Sequence, residues 1–438
     1  MQTYDFIAVG LGPFNLSLAC LMAPLKEHKG LFLERNAQFA WHPGMLVERC
    51  TLQNPFLADL VSLADPTSRF SYLNYCKQQG RIYACYVREN LYLTRHEYNR
   101  YCQWATSQLN NLAFSREVTE ITFDEAQGHY VVRGHDLASA SQPRPFEHRA
   151  RRLVLGVGSV PRLPACCEPG APHVHSASYL AHKARLQAGR SITIVGSGQS
   201  AAEIYYDLLG EIDRHGYQLN WVTRSPRFFQ METGKLTLEL ISPDYIEHFY
   251  ALPPARKAEI LLDQKSIYNG INTQLVNAIY ERLDERRDEL RHRTQLLPGM
   301  ELVRCRHDAQ AGRYELEFEH TDLSRRYRHA TDGLVFATGY APRVPAFIEG
   351  IRHRIAWDEQ GRYRQARNYA VDHAGREVFV QNAGFHSHGL SNPDLGMTCH
   401  RNAVLIRELT GIEYYPIETH TAVQDFVPRA GLGFVEVA

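Results

Sequence analysis

The sequence predicts an α/β protein with two parallel-sheet units of the dinucleotide-binding, Rossmann-like type and a small helical substrate domain. Three observations predict this. First, Tyr4-Asp-Phe-Ile-Ala-Val9 is a short run of strand formers that passes directly into Gly10-Leu-Gly12-Pro13-Phe14-Asn15. An apolar helix to about Leu25 follows, then a second apolar run, Leu31-Phe-Leu33, that ends at Glu34. Strand, glycine turn, helix and strand in this order form a nucleotide-binding unit. Second, the order recurs: Ser191-Ile-Thr-Ile-Val195, then Gly196-Ser197-Gly198-Gln199-Ser200-Ala201, a helix through Leu209, and Leu219-Asn-Trp-Val-Thr223 ending at Arg224. Third, 235–292 carries turns at Pro243 and Pro253-Pro254 and helical apolar spacing at Leu275, Val276, Ile279, Tyr280 and Leu283.

The expected division is a first unit over 1–188, a second over 189–234, the helical domain over 235–292, a continuation of the second unit over 293–329, and a return to the first over 330–438. Further strands are expected at 314–319, 333–337 and 378–380. An exposed polar loop is expected over 135–150 and an extended tail over the last twenty or so residues.

The 438 residues give room for two or three domains. Charge is balanced, with 48 basic and 48 acidic side chains, so no basic face for nucleic acid is expected. No apolar run reaches the roughly 18 residues of a membrane span, and the start of the chain lacks a signal-peptide pattern. A soluble cytoplasmic protein with neither nucleic-acid nor membrane partners is expected. The nine cysteines contain no CxxC pair, and the adjacent Cys166-Cys167 is a poor spacing for metal. With the 21 histidines scattered, no metal is expected.

Glycine after a strand lets backbone N–H groups at a helix start approach a pyrophosphate. Gly10 and Gly12 suit this, although Asn15 stands where a third glycine would. Glu34 ends the next strand, where a carboxylate can hold both hydroxyls of an unphosphorylated ribose, as in FAD or NAD. In the second unit Gly196, Gly198 and Ala201 fit the pattern, and Arg224, with Arg227 nearby, suits the 2′-phosphate of NADP. Ordinary sheet turns and surface charge are the structural alternatives. Two different dinucleotides in one chain is the arrangement of flavin enzymes that take hydride from NADPH. A third element, Asp332-Gly-Leu-Val-Phe-Ala-Thr338-Gly339-Tyr340 with Pro345 beyond, is a strand running into a turn able to pass over a second ligand.

These motifs, with Phe39-Ala-Trp41-His42-Pro-Gly-Met45 and His388-Gly-Leu390, resemble those of the microbial N-hydroxylating flavin monooxygenases. That family makes the hydroxylamine of hydroxamate siderophores from lysine, ornithine or diamines. The resemblance runs in order over nearly the whole chain, and Asn15 is normal within it. It implies FAD, NADPH retained as NADP⁺, O2 as co-substrate, a C4a-hydroperoxyflavin attacked by a neutral amine, and a homotetramer. Carried over by residue, Gly10, Gly12, Pro13, Phe14, Asn15 and Glu34 would hold FAD. Trp41, His42, Met45 and Gln53 would lie near the isoalloxazine as the catalytic set. Gly196, Gly198, Gln199, Ser200 and Arg224 would hold NADPH, and Thr338, Gly339, His388 and Leu390 would close the flavin side.

One departure speaks to substrate. Leu52-Gln53-Asn-Pro-Phe-Leu-Ala58-Asp59-Leu60 matches a stretch in which the lysine and ornithine hydroxylases carry a lysine, the partner of the substrate α-carboxylate, where this chain has Ala58. A buried carboxylate without a cation costs several kcal/mol, so a diamine fits better: cadaverine first, putrescine next. Asp59, Asp394, Tyr268 and Asn269 are candidates for the distal ammonium. The alternatives are a lysine or ornithine N-hydroxylase, or a non-hydroxylating flavin oxidoreductase or redox sensor. A disulfide reductase would need the missing CxxC.

Overall fold

The computed structural model describes residues 2–139, 142–168, 170–429 and 431–437. Two sheets organise it. The first has seven strands in the order Leu112–Ala113, Gly30–Leu33, Thr3–Val9, Arg144–Leu155, His129–Asp136, Arg116–Asp124, with Val378–Val380 also paired to Arg144–Leu155. Arg144–Leu155 serves two purposes along its length. Residues 144–150 pair antiparallel with His129–Asp136, while Leu153–Leu155 run parallel to both Ile7–Val9 and Val378–Val380. The polar loop expected over 135–150 is therefore largely a hairpin. Phe146, His148 and Ala150 share one face and alternate with Glu147 and Arg149, as in a half-solvated antiparallel strand, a pattern that charge obscures in sequence. Positions 140 and 141 lie outside the described residues.

The second sheet is wholly parallel, in the order Val174–His175, Gly333–Phe336, Ser191–Val195, Gln218–Val222, Thr294–Leu297. Gly333–Phe336, expected with the returning first unit, instead pairs beside Ser191–Val195. Its four buried residues carry no trace of which sheet they join. The antiparallel strands Met300–Asp308, Arg313–His320 and Arg325–Thr331 lie between them in sequence, and Ser159–Pro161 pairs with Tyr340–Pro342 where the chain crosses between the units.

Residues 235–290 form six short helices, Lys235–Leu238, Pro243–Ala251, Pro254–Asp263, Lys265–Asn269, Thr273–Glu285 and Arg287–Leu290. Pro243 and Pro254 start two of them, where a missing N–H costs nothing. The extended tail lies across these helices: Asp244 accepts from the amides of Thr421 and Ala422, and Glu239 from those of Val423 and Gln424. No helix among the described residues is long and apolar enough to cross a membrane.

His388 lies where the helical region meets the last third of the chain. It is 1% exposed, stacks on Tyr369 at 4.6 Å and packs near Tyr250 at 5.2 Å. Burial, reinforced by the Arg367 and Arg401 charges and partly offset by a hydrogen bond at the Arg367 carbonyl, lowers its pKa from 6.5 to about 3. A depressed histidine stabilises the fold above its unfolded pKa and loses that contribution as pH falls toward the folded one. From pH 6.5 to about 3 this one ring makes stability fall by about 1.4 kcal/mol per pH unit. Denaturant unfolding from pH 7 to 4 should therefore show a shallower loss for His388→Asn than for the parent chain. Equal slopes would mean that this ring is not the one taking up the proton.

Candidate active site

Each glycine turn divides its work between two residues. Gly10 has φ +88°, and a Cβ there would lie 2.5 Å from the Gly156 carbonyl oxygen. Gly196 repeats this against the Ala337 carbonyl, at 2.2 Å. The first glycine of each pair thus lets the turn press against the neighbouring strand end. The second faces space: a Cβ on Gly12 would meet nothing within 4 Å, and one on Gly198 only the Asn269 carbonyl at 3.4 Å. These are the two positions at which a phosphate can come onto a helix start.

Around the first turn, Pro13 opens the helix Pro13–Met22. Asn15 is 1% exposed, and its Nδ2 donates to the Gly10 carbonyl at 2.7 Å. A side chain on Gly156 would strike that amide, so Asn15 fills the place of the third glycine by locking the turn. Its Oδ1 is buried without a partner. The Glu34 carboxylate closes over the turn, accepting from Leu11 N–H at 2.7 Å and Asn36 N–H at 2.9 Å. Each oxygen keeps lone pairs for a ribose hydroxyl. The Phe14 carbonyl accepts from Asn402, and its ring lies 4.7 Å beneath the Arg401 guanidinium. These features fit an adenine dinucleotide with a free ribose.

In the second turn Gln199 faces inward. Its Nε2 donates to Glu203 at 2.9 Å, and its Oε1 accepts from Asn272 N–H at 2.9 Å. Glu203, 1% exposed, pairs with Arg95 at 3.0 Å, and Arg95 also donates to the Met45 carbonyl. Burial pushes the Glu203 carboxyl up, with Arg95 and Gln199 pulling the other way. Gln199, expected at NADPH, also ties the second turn to the helical region through these bonds. Ser200 is half-buried on the first helical turn, and Arg224 is largely exposed, only 3.8 Å from Glu301 and free to reach a phosphate. Residual charge would betray the pair: Glu203→Leu should cost about 3–5 kcal/mol in urea unfolding by stranding Arg95. Adding Arg95→Leu should recover part of it, whereas a single-variant cost under about 1 kcal/mol would assign the pair no more than surface worth.

The Trp41-His42 motif and the Ala337-Thr338-Gly339 turn come together. Trp41 and His42 rings are 4.9 Å apart, His42 lies 5.6 Å from Tyr340, and Tyr340 lies 5.2 Å from His175. His42 is exposed as a residue, with its ring packed between those of Trp41 and Tyr340. Poor solvation, then the Arg95 charge, pulls its pKa down to about 4. Thr338 is fastened to the Arg162 carbonyl, Gly339 has φ +79° with open space over it, and Gln53 is exposed on the strand Thr51–Pro55. Three expected residues are buried in packing contacts. Met45 is 1% exposed and packs in the core around Val174 and Tyr179, and His388 and Leu390 are buried behind the helical region. Apolar or self-satisfied side chains in a motif read alike whether they face ligand or core.

Of the substrate candidates, Asp59 is spent. Its oxygens accept from the amides of Val61, Ser62 and Tyr72 and from the Ser62 hydroxyl, so it caps two turns and cannot also take a substrate cation. Asp394 is different. It is half-buried and held by Asn54 at 3.0 Å and Gly396 N–H at 2.7 Å, with burial pushing its carboxyl up. Ala58, buried at 7% exposure, follows the same strand as Asn54. Tyr268 packs edge-on against Phe385 at 5.0 Å, and Asn269 is exposed beside Gly198. Sequence reading missed Asn54, Arg95, Glu203 and Tyr340. Asn54 and Tyr340 lie inside quoted motifs, which were the available signals.

Two glycine-turn units joined by short crossing strands, one closed by a carboxylate and the other by an arginine, define a two-dinucleotide flavoprotein class. The family model described as L-lysine 6-monooxygenase/L-ornithine 5-monooxygenase matches residues 2–342, and the chain belongs to this family of flavin-dependent N-hydroxylating monooxygenases. The chain is 57% identical to the alcaligin biosynthesis enzyme of Bordetella pertussis, over 98% of this chain and 93% of that one. It is 46% identical to the putrescine N-hydroxylase of Shewanella oneidensis, over 97% and 84%. The FAD-bound crystal structure of the cadaverine monooxygenase of desferrioxamine biosynthesis from Erwinia amylovora superposes with TM-score 0.94 at 49% identity, covering 98% of this chain and all of that one.

Proposed function

We propose that this enzyme N-hydroxylates one primary amine of an aliphatic diamine, cadaverine before putrescine, with FAD, NADPH and O2, and that the N-hydroxy-diamine enters hydroxamate siderophore synthesis. The observation that carries the reading is local. Where an amino-acid hydroxylase would place a cation, this chain has buried Ala58, and the same strand brings in Asn54, which holds the Asp394 carboxylate. A carboxylate with spare lone pairs suits a distal ammonium and repels an α-carboxylate. Relatives named for putrescine and for cadaverine, at 46% and 49% identity, support the diamine class and leave chain length to measurement.

In this reading FAD lies on the Gly10–Asn15 turn with Glu34 on its ribose, and NADPH on the Gly196–Ser200 turn with Arg224 on its 2′-phosphate. When bound, the nicotinamide supplies two electrons and the flavin the means to activate O2. The protein's part is positioning and shelter. Trp41, His42, Gln53, Thr338 and Gly339 surround the region between the turns, and the low pKa of His42 keeps its imidazole neutral at working pH. Asp394 and Asn54 anchor the far end of the substrate, and Tyr268 and Asn269 border the nicotinamide side. The units at 1–188 and 330–438 serve FAD, and those at 189–234 and 293–329 serve NADPH. The strand Gly333–Phe336 moves to the second group, and 235–292 borders substrate. Tyr83, Tyr86 and Val87, exposed on one short helix, supply an apolar face for assembly into a homotetramer, which sedimentation would check. A cytoplasmic site of action goes with this chemistry.

Gly10→Ala should lower both stability and FAD content, because φ and the Gly156 contact both forbid the methyl group. Gly12→Ala should melt like the parent chain and lose FAD affinity about tenfold or more; normal FAD retention in that variant would move the pyrophosphate elsewhere. For substrate, hydroxylamine formed from cadaverine, putrescine, lysine and ornithine should come almost wholly from the diamines. Ala58→Lys should shift kcat/KM toward the amino acids, and Asp394→Asn should raise the diamine KM at least tenfold with a smaller change in kcat. Equal turnover of lysine or ornithine by the parent chain would sink the diamine assignment.

A further inference from the structure

One side-chain cluster stands apart from both glycine turns. Cys167 and His173 lie on the segment that carries the chain from Leu155 of the first sheet to Val174–His175 of the second, while Cys305 is in the strand Met300–Asp308 and is 1% exposed. Cys167 and Cys305 face each other as a parallel bridge pair, and Cys305 N–H reaches the Cys166 carbonyl at 3.3 Å. Both sulfurs and a ring nitrogen of His173 lie within 4.8 Å of one another.

The histidine is the telling member. Its Nε2 is 3.2 Å from the Glu168 carbonyl, and a carbonyl only accepts, so Nε2 carries the proton and Nδ1 the lone pair. Nδ1 is buried and has no partner. One nitrogen fixed by a backbone carbonyl and the other left bare is how an imidazole is presented to a metal. Tyr314 and Phe336 flank the ring, at 5.9 and 5.4 Å. A disulfide would use the two sulfurs and leave the bare nitrogen without purpose. Cys166 is not needed, since its thiol is directed at the Leu302 carbonyl at 3.3 Å.

We propose that Cys167, His173 and Cys305 bind one Zn²⁺, with the fourth position open to water. Two thiol protons leave to solvent as the two thiolates and the neutral imidazole take the metal, so the occupied site carries no net charge. Ligands about 2.0–2.3 Å from a shared zinc lie about 3.3–3.8 Å apart, so donors within 4.8 Å of one another need to close by no more than about 1.5 Å, within the reach of side-chain rotation. The metal takes no part in oxidation. It clamps the crossover segment onto the second unit and so sets how the two nucleotide-binding units are joined.

The test uses the full-length, FAD-loaded enzyme, treated with chelator and reductant and titrated with Co²⁺. One equivalent should bind with a thiolate-to-cobalt charge-transfer band and intense tetrahedral d–d bands over the flavin-subtracted background, and Zn²⁺ should displace it. Cys167→Ser should abolish the charge-transfer band or cut it to half or less. His173→Gln, a half-buried change that keeps FAD content, should weaken binding at least tenfold. Zn²⁺ should raise the melting temperature of the parent chain and not of His173→Gln. The proposal falls if the parent chain shows only weak octahedral cobalt bands, or if the bands survive Cys167→Ser unchanged. It falls equally if protein purified without reductant carries a Cys167–Cys305 disulfide and, once reduced, binds no metal.

Discussion

Beside the crossing strands, one largely buried charge pair ties the nucleotide-binding units together. Arg95 belongs to the helix Arg95–Ser107, which packs on the first sheet's side, and Glu203 to the helix that starts at the second glycine turn. Gln199 extends the connection from Glu203 to the Asn272 amide of the helical region, and Arg95 extends it to the Met45 carbonyl. The first unit, the second unit and the helical region meet in this chain of four contacts. Glu203 is buried and Arg95 largely so, which sets a desolvation cost against their attraction, so the pair holds a geometry more than it adds energy.

Much of the site follows from how closely strands and turns approach. Glycine at 10 and 196 lets each turn sit against a carbonyl of the adjacent strand, at Gly156 and Ala337. That fixes the helix starts, which fixes where an anion can bind. The Ala337 contact also explains why the Ala-Thr-Gly motif belongs with the second turn: its strand is the second sheet's own neighbour, and the residues just beyond it, Thr338 to Tyr340, cross back toward His42.

What could be read from the sequence was backbone-level. Glycine turns, the carboxylate or arginine at a strand end, and proline-started helices all leave local marks, and the parallel units were legible from them. Partnership across long distances was not. Gly333–Phe336 is equally apolar in either sheet. Met45, Gln199 and His388 sit in motifs whose members serve packing as readily as ligand. Asp59 and Asp394 look alike as letters, and only the count of amides already donating to each separates a turn cap from an available acceptor. The Cys167, His173 and Cys305 cluster has no spacing pattern, since its third member comes from the strand Met300–Asp308, far along the chain from the other two.

The double use of Arg144–Leu155 bears on the order in which the chain can fold during synthesis. The strands of the second sheet all lie between Val174 and Phe336, so that sheet can close once those residues have emerged. The first sheet begins with Thr3–Val9 but completes only when Val378–Val380 docks beside Leu153–Leu155. The earliest-made unit is therefore the last to be finished, and until then a buried parallel strand presents an open edge, the kind of surface on which nascent chains pair wrongly.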